Sequence, residues 1–184
     1  MAEIKKFDSE KDLIKEIFPT LKGKINYVRV SKLAQKDITP DIDLLIMTSQ
    51  NEIVGYEIKI LGSDRGGNVS KTEFYKGIGE ALMYLRYGIE KVGLICGFKS
   101  SLNENEKIKK FIEKLKDEKE KLEEIFGNYF SLGVYTTYIE WIFKAQSKFY
   151  DVEEKKFLER IMEEQRLSFD KKFSQILKKE INLW

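Results

Sequence analysis

Two short apolar segments on either side of a polar turn, within residues 40–60, constrain the fold of this chain more than any other feature. The first segment, residues 40–46, reads PDIDLLI, and the second, residues 53–60, reads IVGYEIKI. Short runs rich in β-branched and aromatic residues, separated by turn-forming residues such as the SQNE of 49–52, are typical of two β-strands joined as a hairpin. The sequence therefore predicts a hairpin here, with the rest of the chain arranged around it.

The ionisable side chains of this hairpin fall on one face. Side chains alternate across a strand, so Glu57 and Lys59 share a face of the second strand, and Asp41 and Asp43 lie on the polar face of the first. If the apolar faces align, as a buried face requires, three carboxylates and an ammonium gather at one end of the hairpin. Carboxylate oxygens are the ligands that a hard cation such as Mg²⁺ selects. The alternative is a half-exposed hairpin whose wet face carries cross-strand ion pairs.

Composition removes several classes of chemistry. The chain of 184 residues contains no histidine, which excludes His-dependent triads and His-metal sites. Acid–base work would fall to Asp, Glu, Lys, Tyr or metal-bound water. The single cysteine, Cys96, excludes a disulfide within the chain. A formal net charge of only +2 means that a nucleic-acid partner would be held by a local patch.

Length and segment pattern indicate one domain with an appended helical piece, which we expect at residues 1–150 and 151–184. No signal peptide or membrane-length apolar run is recognisable, so a soluble, cytoplasmic protein is expected. Abundant Lys, Glu and Ile with little Gln and Cys is a composition that fits a thermophile. The C-terminal piece carries apolar residues near helical spacing, which would pack on the core or bury against a second copy in a homodimer.

The remaining elements predict an α/β fold with mixed strand directions. In chain order they are a helix at 10–18, a strand at 25–33, the hairpin, a helix at 72–87, a strand at 91–97, a helix at 103–125, a strand at 129–138, a helix at 140–149 and an amphipathic helical segment at 152–183. The loop at 61–68 is rich in glycine but lacks the spacing of a phosphate-binding P-loop.

Two helices carry further ionisable residues near the hairpin. Glu10 begins the first helix, where it either serves a site or is simply favoured by the helix dipole. Glu80 follows Lys76 by four residues in the helix at 72–87, the spacing of an ordinary ion pair. Gly77 and Gly79 weaken that helix and make sense where its backbone packs closely on a sheet.

These segments together resemble the PD-(D/E)XK nuclease superfamily, which has the restriction-endonuclease-like fold. The resemblance rests on PDIDLLI at 40–46, EIK at 57–59, and EALMYL at 80–85, which is similar to the Gln-Ala-Leu-x-Tyr helix of that superfamily. The SEKDLI of 9–14 resembles the opening helix of archaeal Holliday junction resolvases. The resemblance covers roughly residues 9–97. It implies a mixed central β-sheet flanked by helices, to which this chain adds C-terminal helices.

The resemblance also implies a Mg²⁺-dependent DNA endonuclease of junction, flap or restriction type, with Mn²⁺ as a substitute metal. Glu57 and Lys59 match the signature, and Asp43 is the favoured leading acid, with Asp41 as second choice. Glu10 is the upstream acid by analogy, and the metal ligands would come from these four carboxylates. Glu80 stands where Gln is common, so its carboxylate adds charge near the metal.

Two other functions stay open at this level. The first is a catalytically inactive member of the same fold that binds nucleic acid or a protein partner. The near-neutral net charge and the departure from the pattern at Glu80 favour it. The second is an assembly protein that uses the apolar stripe of residues 152–183.

Overall fold

The fold is built on one mixed β-sheet of six strands that lie in chain order. The computed structural model describes residues 3–21, 24–26, 41–47, 53–87, 89 and 91–145. The strands are β1 (Lys24–Asn26), β2 (Leu44–Met47), β3 (Ile53–Leu61), β4 (Lys91–Phe98), β5 (Phe130–Tyr135) and β6 (Ile139–Phe143). The helices are α1 (Glu10–Ile17), α2 (Lys71–Met83), α3 (Asn105–Asp117) and α4 (Lys119–Phe126), with 3₁₀ turns at Phe18–Thr20 and Tyr84–Tyr87.

Strand directions follow from the lengths of the connections. β1, β2 and β3 are antiparallel neighbours, whereas β3, β4 and β5 run parallel and β6 turns back antiparallel to β5. Parallel neighbours need a crossover, which α2 provides between β3 and β4, and α3 with α4 between β4 and β5. The predicted hairpin and the predicted α/β class with mixed strand directions are both confirmed.

Both faces of the sheet are covered, so the polar face of the hairpin is largely shielded from water, with Asp43 and Lys59 partly buried. On one face α1 packs its buried residues against β2, β3 and β4 in a cluster of Leu13, Ile14, Ile17, Leu44, Ile46, Ile58 and Ile95. On the other face the residues of α2 and α3 form the larger core with Leu45, Phe74, Ala81, Tyr84, Leu94, Ile108 and Phe111. Glu57 points toward this second face and is only 3% exposed. The alternative interpretation, a half-exposed hairpin whose polar face is a wet surface of cross-strand ion pairs, is therefore wrong.

The helix predicted at 140–149 is wrong over the described residues, because Ile139–Phe143 forms the edge strand β6. The short amphipathic run pairs with β5, where Gly133 lies opposite Trp141 at a register shift. A Cβ at Gly133 would come within 2.9 Å of an Ile139 side-chain carbon and 3.1 Å of the Trp141 ring. The missing side chain lets β6 pack against β5, and this hairpin pairing decides the conformation.

Several predicted boundaries are also corrected. The helix expected at 103–125 is divided at Glu118 into α3 and α4, and the helix expected at 72–87 ends as an α-helix at Met83. The strand expected at 25–33 is described only as Lys24–Asn26. Residues 27–33 and the C-terminal helical segment lie outside the described residues, as does the expected boundary at residue 150. Within the described ranges, no helix is long and apolar enough to cross a membrane.

Candidate functional site

The register of the hairpin brings Asp43 beside Glu57. Leu44 pairs with Tyr56, and one residue further out Asp43 accepts a hydrogen bond from the backbone N–H of Ile58 at 2.9 Å through Oδ2. Burial raises the pKa of the Asp43 carboxyl. Burial, and then the negative charge of Asp43, raises the pKa of Glu57 to about 8. Two adjacent strands therefore hold two neighbouring carboxyl groups that are costly to ionise together.

Lys59 places its ammonium among carboxylates from three elements. Its Nζ contacts Glu57 of the same strand, lies 2.7 Å from Glu80 Oε2 of α2, and lies 3.5 Å from Glu10 Oε1 at the start of α1. Burial lowers the pKa of Lys59, but hydrogen bonds to Glu57 and Glu80 outweigh it, so the net shift is upward. The ammonium thus stays charged at the centre of the acidic side chains.

The close approach of α2 to the sheet explains how Glu80 reaches this lysine. A Cβ at Gly77 would lie 2.7 Å from Lys59 Cγ and 2.8 Å from Leu94 Cδ1, so only glycine allows the observed spacing. The expectation of close packing holds at Gly77 and is wrong at Gly79, where nothing lies within 4 Å. Burial raises the pKa of Glu80, but the contacts with Lys59 and Glu57 and the positive charges of Lys59 and Lys76 together outweigh it, and the net shift is downward.

α1 contributes the upstream acid through its first turn. The helix begins at Glu10, directly after Ser9, whose hydroxyl oxygen accepts a hydrogen bond from the N–H of Asp12 as the N-cap. Glu10 keeps 42% of its side chain exposed while its Oε1 faces Lys59. It is therefore the most loosely held of the three carboxylates around the ammonium.

Tyr84 belongs to the same cluster, although the sequence analysis assigned it no role. It is fully buried, and its hydroxyl contacts Glu57 Oε2 and lies 2.8 Å from the carbonyl oxygen of Asp41. A phenol has one hydrogen. The hydroxyl donates to Glu57 Oε2 or to the Asp41 carbonyl oxygen, so it bridges two acceptors that share its single hydrogen. The signal was its position four residues after Glu80, one helical turn along the same face.

The expected site residues therefore divide into two groups. One group lies together around the polar side chains of β3 and consists of Asp43, Glu57, Lys59, Glu80 and Glu10. Asp41 joins them through its backbone carbonyl, and the described contacts give its carboxylate no part in the cluster. The neighbouring position Asp43 is the acid that faces Glu57.

The donor chemistry of this cluster fits a hard divalent cation. Asp43, Glu57 and Glu10 offer carboxylate oxygens, the ligands that Mg²⁺ takes, and a positive charge would relieve the repulsion between Asp43 and Glu57. Within the described residues, no three potential ligand side chains surround a common point that could hold a metal ion. The carboxylates of Glu57, Glu80 and Glu10 converge instead on the ammonium of Lys59.

Comparison with protein-family models, with curated proteins and with solved structures finds no match to this chain. The fold defines the class as α/β with an open mixed sheet. Function is consequently inferred from the site geometry and from the order of the elements that carry it.

Proposed function

We propose that this chain belongs to the PD-(D/E)XK nuclease superfamily and is a Mg²⁺-dependent endonuclease that hydrolyses phosphodiester bonds of intracellular DNA. The observation that carries the proposal is the convergence of Asp43, Glu57 and Lys59 from one hairpin into a single cluster, in which Glu57 is buried and the other two are partly buried. Such a cluster at the junction of a sheet and two helices is a candidate site, because perturbed ionisable groups concentrate where chemistry occurs.

The order of elements supports the same proposal. A helix with an acid at its start is followed by three antiparallel strands, a helix packed on the sheet, and a strand parallel to the third. A restriction-endonuclease-like core is arranged in this way, and residues 1–150 would form it. Fold alone does not establish chemistry, so the proposal depends on the side chains.

Each residue has a role that its surroundings support. Asp43 and Glu57 would hold Mg²⁺ or Mn²⁺, with Glu10 as the outer acid. When bound, the metal supplies a more acidic water and neutralises charge on the phosphate oxygens. Lys59 keeps its positive charge inside the cluster, where it can orient the attacking water or stabilise charge that develops on the phosphate. Tyr84 holds the Glu57 carboxyl in place against the carbonyl of Asp41.

The test is cleavage of linear duplex, single-stranded, flap and four-way-junction DNA by the full chain with and without Mg²⁺. Asp43→Asn and Glu57→Gln should each abolish cleavage of whichever DNA is cut. Glu106→Gln is the matched control, because Glu106 is an exposed carboxylate of α3 that pairs with Lys109 on the same helix. Metal-independent cleavage, or cleavage that survives both site variants, would remove the proposal.

A catalytically inactive member of the same fold is the second candidate. The observation that favours it is the ammonium of Lys59, which already pairs with Glu57 and Glu80 of the acidic cluster. In that case the protein would bind nucleic acid with strong salt dependence, because binding releases counterions. Binding that is unchanged by Mg²⁺ and by Glu57→Gln, without cleavage of any DNA, would favour this candidate. Dimerisation through residues 152–183 stays a prediction that sedimentation can test.

A further inference from the structure

Glu80 is the carboxylate that α2 contributes to the cluster, and its Oε2 lies 2.7 Å from Lys59 Nζ. We infer that Glu80 is a positioning residue that retains the Lys59 ammonium, and that Lys59 and a divalent cation compete for the carboxylate of Glu57. The inference deepens the proposed function and rests on its metal site. It also revises the expected role of Glu80, whose charge acts on Lys59 instead of on the metal.

The packing of α2 holds Glu80 and Lys59 together as an ion pair, in which Glu80 Oε2 accepts no well-directed hydrogen bond from the described residues. The stem of Lys59 runs beneath Gly77, where no Cβ could be accommodated, so α2 and the lysine are held together. Glu80 is one turn further along the same face of α2, and its Oε2 lies 2.7 Å from Lys59 Nζ. Lys76 also approaches Glu80, at 3.7 Å, but its side chain is 67% exposed and its pull is screened by water.

The pair between Lys59 and Glu57 is the one that can open. Both residues lie on β3, two positions apart, and the ammonium reaches across to Glu57 Oε1. A divalent cation on Glu57 would lie beside this ammonium, and like charges in contact repel strongly inside a protein. Metal binding therefore requires Lys59 to leave Glu57, and Glu80 is the carboxylate that receives it.

The test is calorimetric titration of the full chain with MnCl₂ and with MgCl₂, in the absence of DNA. Lys59→Met should bind metal about tenfold more tightly than the wild type, the lower end of the effect of a charge a few Å away. Glu80→Gln should weaken metal binding about tenfold, while Glu80→Asp, which keeps the charge, should recover part of the loss. Lys109→Met is the control, since it removes a lysine from an exposed pair on α3.

The double variant Lys59→Met with Glu80→Gln separates positioning from direct metal contact. If Glu80 acts through Lys59, the loss caused by Glu80→Gln becomes several-fold smaller once the lysine is gone. An equal loss in both backgrounds would make Glu80 a metal ligand or a remote charge and would overturn the inference.

Two further outcomes keep the failure of the inference distinct from the failure of the proposed function. Metal binding by the wild type that Lys59→Met leaves unchanged overturns the inference alone. No metal binding by any variant, including the wild type, overturns both. Thermal melting checks that each variant is folded, and Lys59→Gln replaces Lys59→Met if the apolar side chain destabilises the protein.

Discussion

Removing the hydroxyl of Tyr84 is the sharpest structural test of the site. Tyr84→Phe keeps the buried ring but deletes the group that contacts Glu57 Oε2 and the carbonyl of Asp41, 2.8 Å away. The buried Glu57 carboxyl and the partly buried Asp41 carbonyl then lose a partner, and such a loss costs about 1–3 kcal/mol for a buried group. We take about 2 kcal/mol in total, because the carboxyl keeps its contact with Lys59.

The expected result is a fall in the free energy of unfolding that is visible in both chemical and thermal denaturation. For a chain of this size, about 2 kcal/mol corresponds to a melting temperature lower by about 4–8 °C. Tyr75→Phe is the matched control, because Tyr75 lies on α2 with 64% of its surface exposed, and it should leave the melting temperature within about 1 °C. If the melting temperature of Tyr84→Phe equals that of Tyr75→Phe, the hydrogen bonds of the Tyr84 hydroxyl do not exist as described.

Three further predictions follow from the same geometry. Because the pKa of Glu57 is raised from 4.5 to about 8, the stability that it contributes is complete below its unfolded pKa and is lost as the pH rises through about 8. The free energy of unfolding of the metal-free protein should therefore be lower at pH 9 than at pH 5, as measured by denaturant titration at each pH. Glu57→Gln should reduce this difference between the two pH values. Gly77→Ala should destabilise the protein by about 1–3 kcal/mol, because the new Cβ would lie 2.7 Å from Lys59 Cγ and overpack the contact. Gly79→Ala, with open space around it, should stabilise the protein by up to about 1 kcal/mol. Equal effects of the two substitutions in denaturant titrations would contradict the described packing of α2. Mg²⁺ at about 100 times its dissociation constant should stabilise the wild type by about 2.7 kcal/mol, and Asp43→Asn should remove most of this gain in melting experiments.

Local pattern was sufficient for the hairpin and for its acidic residues. Alternation along the two strands predicted that Asp41, Asp43 and Glu57 face the same side, but aligned apolar faces exclude only one-residue slips and left Asp41 and Asp43 as alternatives. The observed register places Asp43 beside Glu57. The same pattern could not tell whether that side is wet, because burial depends on α2, which comes after the hairpin in the chain. Glu57 is buried only because α2 and the 3₁₀ turn that carries Tyr84 cover it.

β6 shows the opposite case. The run around Trp141 is short and amphipathic, and it satisfies a helical pattern as well as a strand pattern. Its pairing with β5 across Gly133, where a side chain would collide with Ile139 and Trp141, decided for a strand. The two glycines of α2 are a similar case. Each lowers helix propensity equally, so the sequence could not show that Gly77 packs against the sheet while Gly79 has open space around it.

The amino-acid sequence by itself determined the α/β class, the order of the main elements and the acids that share a hairpin face, because periodicity and chain order are local properties. Only the tertiary structure decided that Lys59 is enclosed by carboxylates from three elements, that Tyr84 ties Glu57 to Asp41, and that Asp43 faces Glu57 while Asp41 supplies a carbonyl. These contacts join residues that are distant in the chain. Their geometry depends on how closely α1 and α2 pack against the sheet, which no local pattern encodes.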